Sequence, residues 1–255
     1  MDPGVEGHRR VGAKMSAPEE IKNKMSTACA ILRWELSNMW GHVSVRSPSD
    51  GGFSLMPLRE PVDVAIPSDD LLEYDLEGNF ISGRRDAIDE IFFYSCPYRA
   101  REEVGAVIHC HPEMTLALAA VGGKIEPVHT SSVRFENGVP MTSFLYGYWQ
   151  EHGEQAAKAM GENCALIIQG HGTIVTGRTI EEACINMVQL ERTARMLLLG
   201  RAFGQPQPLT PAAIEEFKSI AGRRARGKAD PAIASLLEWS YYESMIKRGE
   251  RWSRL

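Results

Sequence analysis

The segment Gly105-Ala106-Val107-Ile108-His109-Cys110-His111-Pro112 is the most informative stretch of the 255-residue chain. Its apolar first half is typical of a buried strand, and Pro112 ends the strand because proline cannot donate to a strand ladder. Neighbouring side chains of a strand point to opposite faces, so His109 and His111 share one face while Cys110 points to the other. Two imidazoles on one face can bind a single metal ion, although two hydrogen-bonded histidines would give the same motif.

A second motif, Gly170-His171-Gly172, strengthens the metal interpretation. It follows an apolar strand predicted at residues 165–169, and glycines beside a histidine allow the backbone to bend and another group to approach closely. Three imidazoles with a carboxylate and an open position are typical of a catalytic site for a divalent ion such as manganese, zinc, iron or cobalt. The acids that precede the first motif are Asp86, Asp89, Glu90, Glu102 and Glu103, and the spacing does not separate the first three of them.

Outside these motifs, short strands alternate with helices, which favours the α/β class with a mixed or antiparallel sheet. Apolar spacing predicts a helix over residues 18–40, and residues 41–46 and 53–56 read as a hairpin. A helix is predicted over residues 86–95, and Thr179 with Glu182 forms a capping-box pattern that opens a long helix. We predict a mobile tail over residues 1–15 and a single domain over residues 16–255, with C-terminal helices from about residue 210.

The bulk composition excludes several classes of function. The net charge of −5 offers no basic surface for nucleic acid, and no apolar run approaches the roughly 20 residues that span a bilayer. The first residues lack the apolar centre of a secretory signal. Five scattered cysteines without a C-x-x-C pair are typical of reduced thiols. We therefore expect a cytoplasmic protein that binds neither nucleic acid nor a membrane.

Several segments together resemble the class II aldolase/adducin family. They are Tyr98 through Pro112, Gly170 through Gly177, the stretch from Glu181 to Glu191, and Gly41-His42-Val43-Ser44-Val45-Arg46, which is similar to the family's early G-N-V-S-x-R segment. The resemblance runs from about residue 16 to residue 204. It implies a three-layer α/β/α sandwich around a mixed, mostly antiparallel sheet, and a homotetramer with active sites at subunit interfaces.

The resemblance also implies a set of site residues. It implies a divalent metal ion held by His109, His111, His171 and a nearby acid. Alignment back from His109 through Tyr98 places the family's catalytic glutamate at Glu90, rather than at Asp86 or Asp89.

Departures from the family pattern argue against a sugar-phosphate substrate. His42 replaces an asparagine that binds phosphate in the family's aldolases, and Leu55-Met56-Pro57-Leu58-Arg59 lacks the small hydroxyl and glycine donors of their phosphate turn. Asp89 stands where those enzymes have serine, and its charge would repel phosphate. The proton-donating tyrosine of the aldolases is missing from residues 127–132, where His129 is present.

Family members with a G-H-V-S-x-R segment resemble decarboxylases of hydroxylated aromatic or pyridine carboxylates. We therefore predict a metal-dependent lyase that decarboxylates a non-phosphorylated, ortho-hydroxylated aromatic or heteroaromatic acid. Glu90 and His42 are the predicted catalytic residues, and the predicted contacts to a small carboxylate substrate are His42, Ser44, Arg46 and His129. The alternatives are an aldolase or epimerase acting on a small sugar, sugar phosphate or sugar acid, and a non-catalytic adducin-like scaffold.

Overall fold

The computed structural model describes residues 19–36, 40–47, 51–57, 71–83, 88–224 and 231–249. The predicted tail over residues 1–15 and the candidate ligand Asp86 lie outside these residues. In chain order the elements are α1 (Glu19–Leu36), β1 (Gly41–Arg46), β2 (Phe53–Pro57), β3 (Leu72–Tyr74), β4 (Phe80–Ser82), α2 (Phe92–Ala100), β5 (Ala106–Cys110), α3 (Glu113–Ala120), a 3-10 helix (Thr130–Phe135), β6 (Met141–Thr142), α4 (Gln150–Met160), β7 (Ala165–Ile168), β8 (Gly172–Gly177), α5 (Ile180–Phe203), α6 (Pro211–Arg224) and α7 (Pro231–Lys247).

The strands form one eight-stranded sheet in the order β4-β3-β2-β1-β5-β8-β7-β6. Every neighbouring pair is antiparallel except β6 and β7, which are parallel. The prediction of a mixed, mostly antiparallel sheet is therefore confirmed. All five residues of β5 are buried, because this strand is central in the sheet and helices cover both of its faces.

Helices lie on both faces of the sheet, and each face has its own apolar cluster. Ala106, Ile108 and Cys110 of β5 point into the cluster built with α1, α3, α5 and α7. Val107 points into the opposite cluster, which contains Phe93, Tyr94 and Tyr98 of α2 together with residues of α4. This alternation along β5 produces the α/β/α sandwich that the sequence predicts.

The sheet pairing brings the histidine motifs to one end of the sheet. Gly41, at the start of β1, pairs with Cys110, at the end of β5, and Cys110 pairs with Thr173 near the start of β8. We call this end of the central strands the histidine end, because His109, His111 and His171 lie there. None of the described helices is both long and apolar enough to cross a bilayer.

One element boundary differs from the prediction in a way that matters for the site. The helix predicted over residues 86–95 begins at Phe92 in the structure, and residues 89–91 form a turn before it. No glycine or proline marks that turn, so apolar spacing alone extended the helix across it. Glu90 consequently lies on the turn rather than on the helix.

Candidate metal centre

Four side chains that are distant in sequence converge at the histidine end of the sheet. His109 comes from the end of β5, His111 from the residue after that strand's exit, His171 from the β7–β8 turn and Glu90 from the turn before α2. Their ligand atoms all lie within 4.8 Å of one another. His109 is fully buried, and the other three side chains are partly exposed, so the cluster has one side that a small molecule can reach.

Backbone carbonyls fix the orientation of two of the imidazoles. Nδ1 of His109 lies 2.8 Å from the carbonyl oxygen of Thr173, and Nδ1 of His171 lies 2.6 Å from that of Leu145. A carbonyl oxygen only accepts, so each Nδ1 carries a hydrogen, and in the neutral imidazole each Nε2 then has a lone pair directed at the cluster. Hydrogen bonding through the second ring nitrogen is how proteins usually orient a metal-binding histidine.

The contacts between Glu90 and the imidazoles require a cation. Oε1 of Glu90 is 2.8 Å from Nε2 of His171, and Oε2 is 3.3 Å from Nε2 of His109. A carboxylate oxygen and an imidazole lone pair are both acceptors, so a proton or a metal ion must lie between them. Within the described part of the chain, Nε2 of His109 and Oε1 of Glu90 are buried and have no hydrogen-bond partner outside this cluster. A divalent ion would satisfy these atoms together, so the residues present fit a metal.

The shifted pKa values of the Glu90 carboxyl and the His111 imidazole also favour binding of a metal ion. Burial alone would raise the pKa of Glu90, but hydrogen bonds and positive charge from His109 and His171 outweigh it and hold the pKa well below its usual range. Burial, and then the charges of His109 and His171, lower the pKa of His111 to about 4. Burial would lower the pKa of His171, yet its hydrogen bond to Glu90 raises it. Near neutral pH the cluster therefore combines an ionised carboxylate with a neutral imidazole at His111, a combination suited to binding a metal.

The two glycines beside His171 have different roles, as their motif predicts. Gly170 has φ +74°, a left-handed conformation that turns the chain between β7 and β8. Gly172 permits a close approach, because a Cβ atom there would lie 2.7 Å from Cδ2 of His111 and 2.8 Å from Cε1 of His109. The backbone therefore passes directly against both other ligands.

One loop between β6 and α4 holds both His171 and the turn that carries Glu90. The Leu145 carbonyl accepts from His171, and the Gly147 carbonyl accepts from the Phe92 amide 3.1 Å away. Phe144 and Tyr146, on either side of Leu145, place their ring centroids 5.6 and 5.5 Å from the His171 ring. The loop thus couples the acid to the third histidine and lines the open side with aromatic rings, which sequence reasoning did not identify.

His42 lies beside the cluster. It pairs with His109 across β1 and β5, so the two side chains stand next to each other on the same face of the sheet. Nδ1 of His42 is 3.1 Å from the hydroxyl oxygen of Tyr94. Tyr94 is fully buried, and burial, followed by the charge of Glu90, raises its pKa well above the usual range. Sequence reasoning missed Tyr94, which lies four residues after Glu90 in the first turn of α2.

Ser44 and Arg46 have partners within the protein itself, and their roles as substrate contacts stay predictions. The Ser44 hydroxyl is fully buried, donates to the Val107 carbonyl and shares a hydrogen bond with the Tyr98 hydroxyl. Arg46 lies at the far end of β1 from the histidine end, where its guanidinium donates to three backbone carbonyls, those of Tyr98, Arg101 and Val104. Both side chains are therefore engaged by backbone carbonyls of the chain around α2 and β5.

His129 and Asp89 are also outside the cluster. His129 is exposed and begins the 3-10 helix, where its Nδ1 accepts from the Ser131 amide at 3.2 Å. Asp89 is exposed on the turn before Glu90. Of the acids that the spacing left open, Glu90 is the one that the described structure groups with the histidines.

The fold and the site define an α/β/α protein with a cluster of three histidines and one carboxylate at one end of the central strands. Residues 28–198 match the family described as the class II aldolase and adducin N-terminal domain. The match spans more than half of the chain, and the chain belongs to that family.

Relatives in this family carry the names of two kinds of carbon–carbon lyase, decarboxylases and aldolases. The chain is 28% identical over 139 residues to 3-oxo-tetronate 4-phosphate decarboxylase of Pectobacterium atrosepticum, covering 52% of this chain and 63% of that protein. It is 25% identical over 221 residues to decarboxylase NovR of Streptomyces niveus, covering 85% and 77%. It is also 29% identical over 164 residues to the meiotically up-regulated gene 14 protein of Schizosaccharomyces pombe, covering 62% and 63%. In the first and last of these relatives the chain spans just under two thirds of their length.

Solved structures share the fold. An L-fuculose 1-phosphate aldolase superposes with a TM-score of 0.68 at 22% identity, covering 79% of this chain and 96% of that one. An aldolase II superfamily protein from Pseudomonas syringae superposes with a TM-score of 0.73 at 18% identity, covering 91% and 93%.

Proposed function

We propose that this protein is a divalent-metal-dependent carbon–carbon lyase, and specifically a decarboxylase of a non-phosphorylated, ortho-hydroxylated aromatic or heteroaromatic acid. The observation that carries the proposal is the convergence of His109, His111, His171 and Glu90 within 4.8 Å, with lone pairs directed inward. These residues would hold manganese, zinc, iron or cobalt, since imidazole and carboxylate ligands admit each of these.

The reaction needs a sink for electrons and a source of one proton. When the bond between the ring carbon and the carboxylate breaks, its electron pair remains on the ring as carbon dioxide leaves. A metal held by His109, His111 and His171, with Glu90 beside it, would supply a Lewis acid that stabilises this charge. The ring carbon must then take up a proton from a positioned group of the protein.

His42 is the residue we assign to the departing carboxylate and the returning proton. Its position beside His109 places it next to the metal ligands, and the Tyr94 hydroxyl at 3.1 Å holds its ring. Glu90 serves as the acid/base residue beside the metal or as its fourth ligand. The small carboxylate substrate enters from the open side, past Phe144 and Tyr146.

Two features favour decarboxylation over aldol cleavage of a sugar phosphate. The relative with the broadest coverage among those described above, NovR, is named as a decarboxylase. In addition, His42 stands where the family's aldolases have a phosphate-binding asparagine, and an exposed Asp89 precedes Glu90. A phosphate dianion would meet that aspartate charge rather than a donor.

A direct assay tests the proposal. The purified protein, loaded in turn with each of the four metals, is incubated with a hydroxyphthalate and with a hydroxylated pyridinedicarboxylate, and released carbon dioxide is measured. We expect release that is metal-dependent and absent in His171→Ala. The decarboxylase proposal fails if no metal and neither substrate gives carbon dioxide. If the protein then cleaves a ketose phosphate to an aldehyde, it is an aldolase.

The aldolase or epimerase is the second candidate, since the L-fuculose phosphate aldolase of Methanocaldococcus jannaschii is 26% identical to the chain over 135 residues. The non-catalytic scaffold is the third. Elemental analysis separates it from both enzymes, because a scaffold needs no stoichiometric metal.

We further propose that the protein is a homotetramer in the cytoplasm, with active sites at subunit interfaces. Large apolar side chains are exposed around the histidine end, among them Trp40 at 60%, Phe144 at 60% and Tyr148 at 58%. Exposed patches of this kind often mark protein interfaces. All five cysteines are free thiols, in keeping with a reducing compartment. Light scattering tests the tetramer.

A further inference from the structure

A second cavity lies at the opposite end of the sheet from the metal centre. Its volume is about 680 Å³, and its walls come from the 3-10 helix, the start of β7, α5, α6 and α7. Cys164, which lines it, directly precedes β7, whereas His171 follows the end of that strand. The two sites are therefore separated by the length of the strand. Cavities of roughly 300–1,000 Å³ are the size that holds small organic ligands.

Arg134 places a mostly buried cation in the wall of this cavity. Its Nε donates to the Ser131 carbonyl at 3.1 Å, and its Nη1 donates to Oδ1 of Asn186 at 2.7 Å and to Oγ of Ser235 at 3.4 Å. Asn186 is itself fixed by donating to the Thr176 carbonyl. Two edges of the guanidinium are thus held rigidly, while Nη2 makes no hydrogen bond within the described residues.

No carboxylate among the described residues neutralises this guanidinium by direct contact, although several line the cavity. Glu136 pairs with Lys218 at 2.6 Å, and the Glu182 carboxylate pairs with Arg178 at 3.2 Å. Glu238 accepts from the Gln189 amide at 2.7 Å. Buried arginines are rare unless they are paired, and burial lowers the pKa of Arg134, which the charges of Glu238 and Glu182 offset only in part. The positive charge of the Arg134 guanidinium is therefore partly desolvated without a directly bound carboxylate among the described residues. An anion bound at Nη2 would offset this desolvation cost.

The surroundings of Arg134 restrict the kind of anion. The cavity wall also includes the apolar side chains Val133, Phe135, Val139, Phe217, Ile220 and Leu237. An anion with an apolar body would bury its ring or chain against them. A phosphate dianion fits less well, because the glutamates at the wall would repel its second charge.

We propose that this cavity is a second binding site, distinct from the metal centre, for a small monocarboxylic acid with an apolar or aromatic body. Its carboxylate pairs with Nη2 of Arg134. The site does not depend on the reaction proposed for the metal centre.

Isothermal titration of benzoate into the full-length, metal-loaded protein tests the proposal. We expect saturable binding in the wild type and in His171→Ala, because the metal centre is not involved. Arg134→Met removes the charge while keeping a similar length, and we expect binding at least about tenfold weaker, the loss of one charge-assisted hydrogen bond. Arg195→Met, at an exposed arginine of α5 outside the cavity, is the matched control and should bind like the wild type.

A second variant keeps the test decisive if Arg134→Met does not fold. Leu237→Trp fills the cavity from the side of α7, where Leu237 is 71% exposed, and leaves the guanidinium in place. We expect it to remove benzoate binding with circular dichroism unchanged. The proposal is overturned if the wild type shows no saturable binding, if His171→Ala abolishes it, or if Leu237→Trp binds benzoate like the wild type.

Discussion

Substitution of Gly172 by alanine tests the geometry of the metal centre most directly. The added Cβ would lie 2.7 Å from a carbon of His111 and 2.8 Å from a carbon of His109, whereas ordinary contact begins at 3.4 Å, so each ring must move by about 0.6–0.7 Å. Metal sites tolerate ligand displacements of about 0.2 Å. Misplaced ligand orientation costs about 10–100-fold in metal affinity, and we expect a loss of that size. Overpacking should also cost about 1–3 kcal/mol of stability.

Gly170→Ala is the matched control on the other side of His171. Gly170 has φ +74°, so alanine there costs about 1–2 kcal/mol of backbone strain, but its Cβ would meet nothing within 4 Å. The two variants should therefore lose similar stability in thermal denaturation, while only Gly172→Ala loses metal affinity in a competition titration with a chelator. Equal metal affinity in Gly172→Ala and the wild type would refute the proposed ligand geometry.

Three further substitutions address individual residues. His171→Ala should remove bound metal and turnover while circular dichroism stays native, because the apolar clusters do not need the ion; a variant that keeps stoichiometric metal by elemental analysis would exclude His171 as a ligand. Tyr94→Phe should lower kcat about tenfold or more with KM and metal content little changed, since it removes the hydroxyl that orients His42; an unchanged kcat would leave Tyr94 without a role in the reaction. Arg46→Met should cost about 2–4 kcal/mol in urea denaturation, because three hydrogen bonds from the guanidinium to backbone carbonyls are lost, while KM per folded molecule stays constant; a raised KM without lost stability would support Arg46 as a substrate contact.

Some structural features could be predicted from the sequence because they depend only on local backbone geometry. They are the side-chain alternation along β5 and the conformations of the two glycines beside His171. The alternation of β5 puts Cys110 into one apolar cluster and leaves His109 on the other face, as strand periodicity requires. The bend at Gly170 and the close approach at Gly172 follow from the conformational freedom and small size of glycine. Such features depend on a few neighbouring residues, so the sequence states them directly.

Other side chains have partners that are distant in the chain and that sequence reasoning did not predict. Ser44 shares a strand face with His42, yet its hydroxyl meets Val107 and Tyr98 rather than the metal centre. Periodicity gives the direction of a side chain, but the partner it meets depends on the register of strand pairing and on the packing of α2. Tyr94 was missed for the same reason, since nothing in its own segment reveals that it contacts His42.

The sequence by itself predicted the family, the α/β class and the three histidines as candidate metal ligands. Each of these predictions follows from short motifs or from apolar periodicity. Residue spacing left the acid open, the family resemblance pointed to Glu90, and the tertiary structure groups Glu90 with the histidines. Only the tertiary structure showed that Ser44 and Arg46 bind backbone carbonyls and that a mostly buried arginine lines a second cavity. These outcomes arise from contacts between segments tens of residues apart, whose meeting is set by sheet order, register and the packing of two helical layers rather than by any local preference.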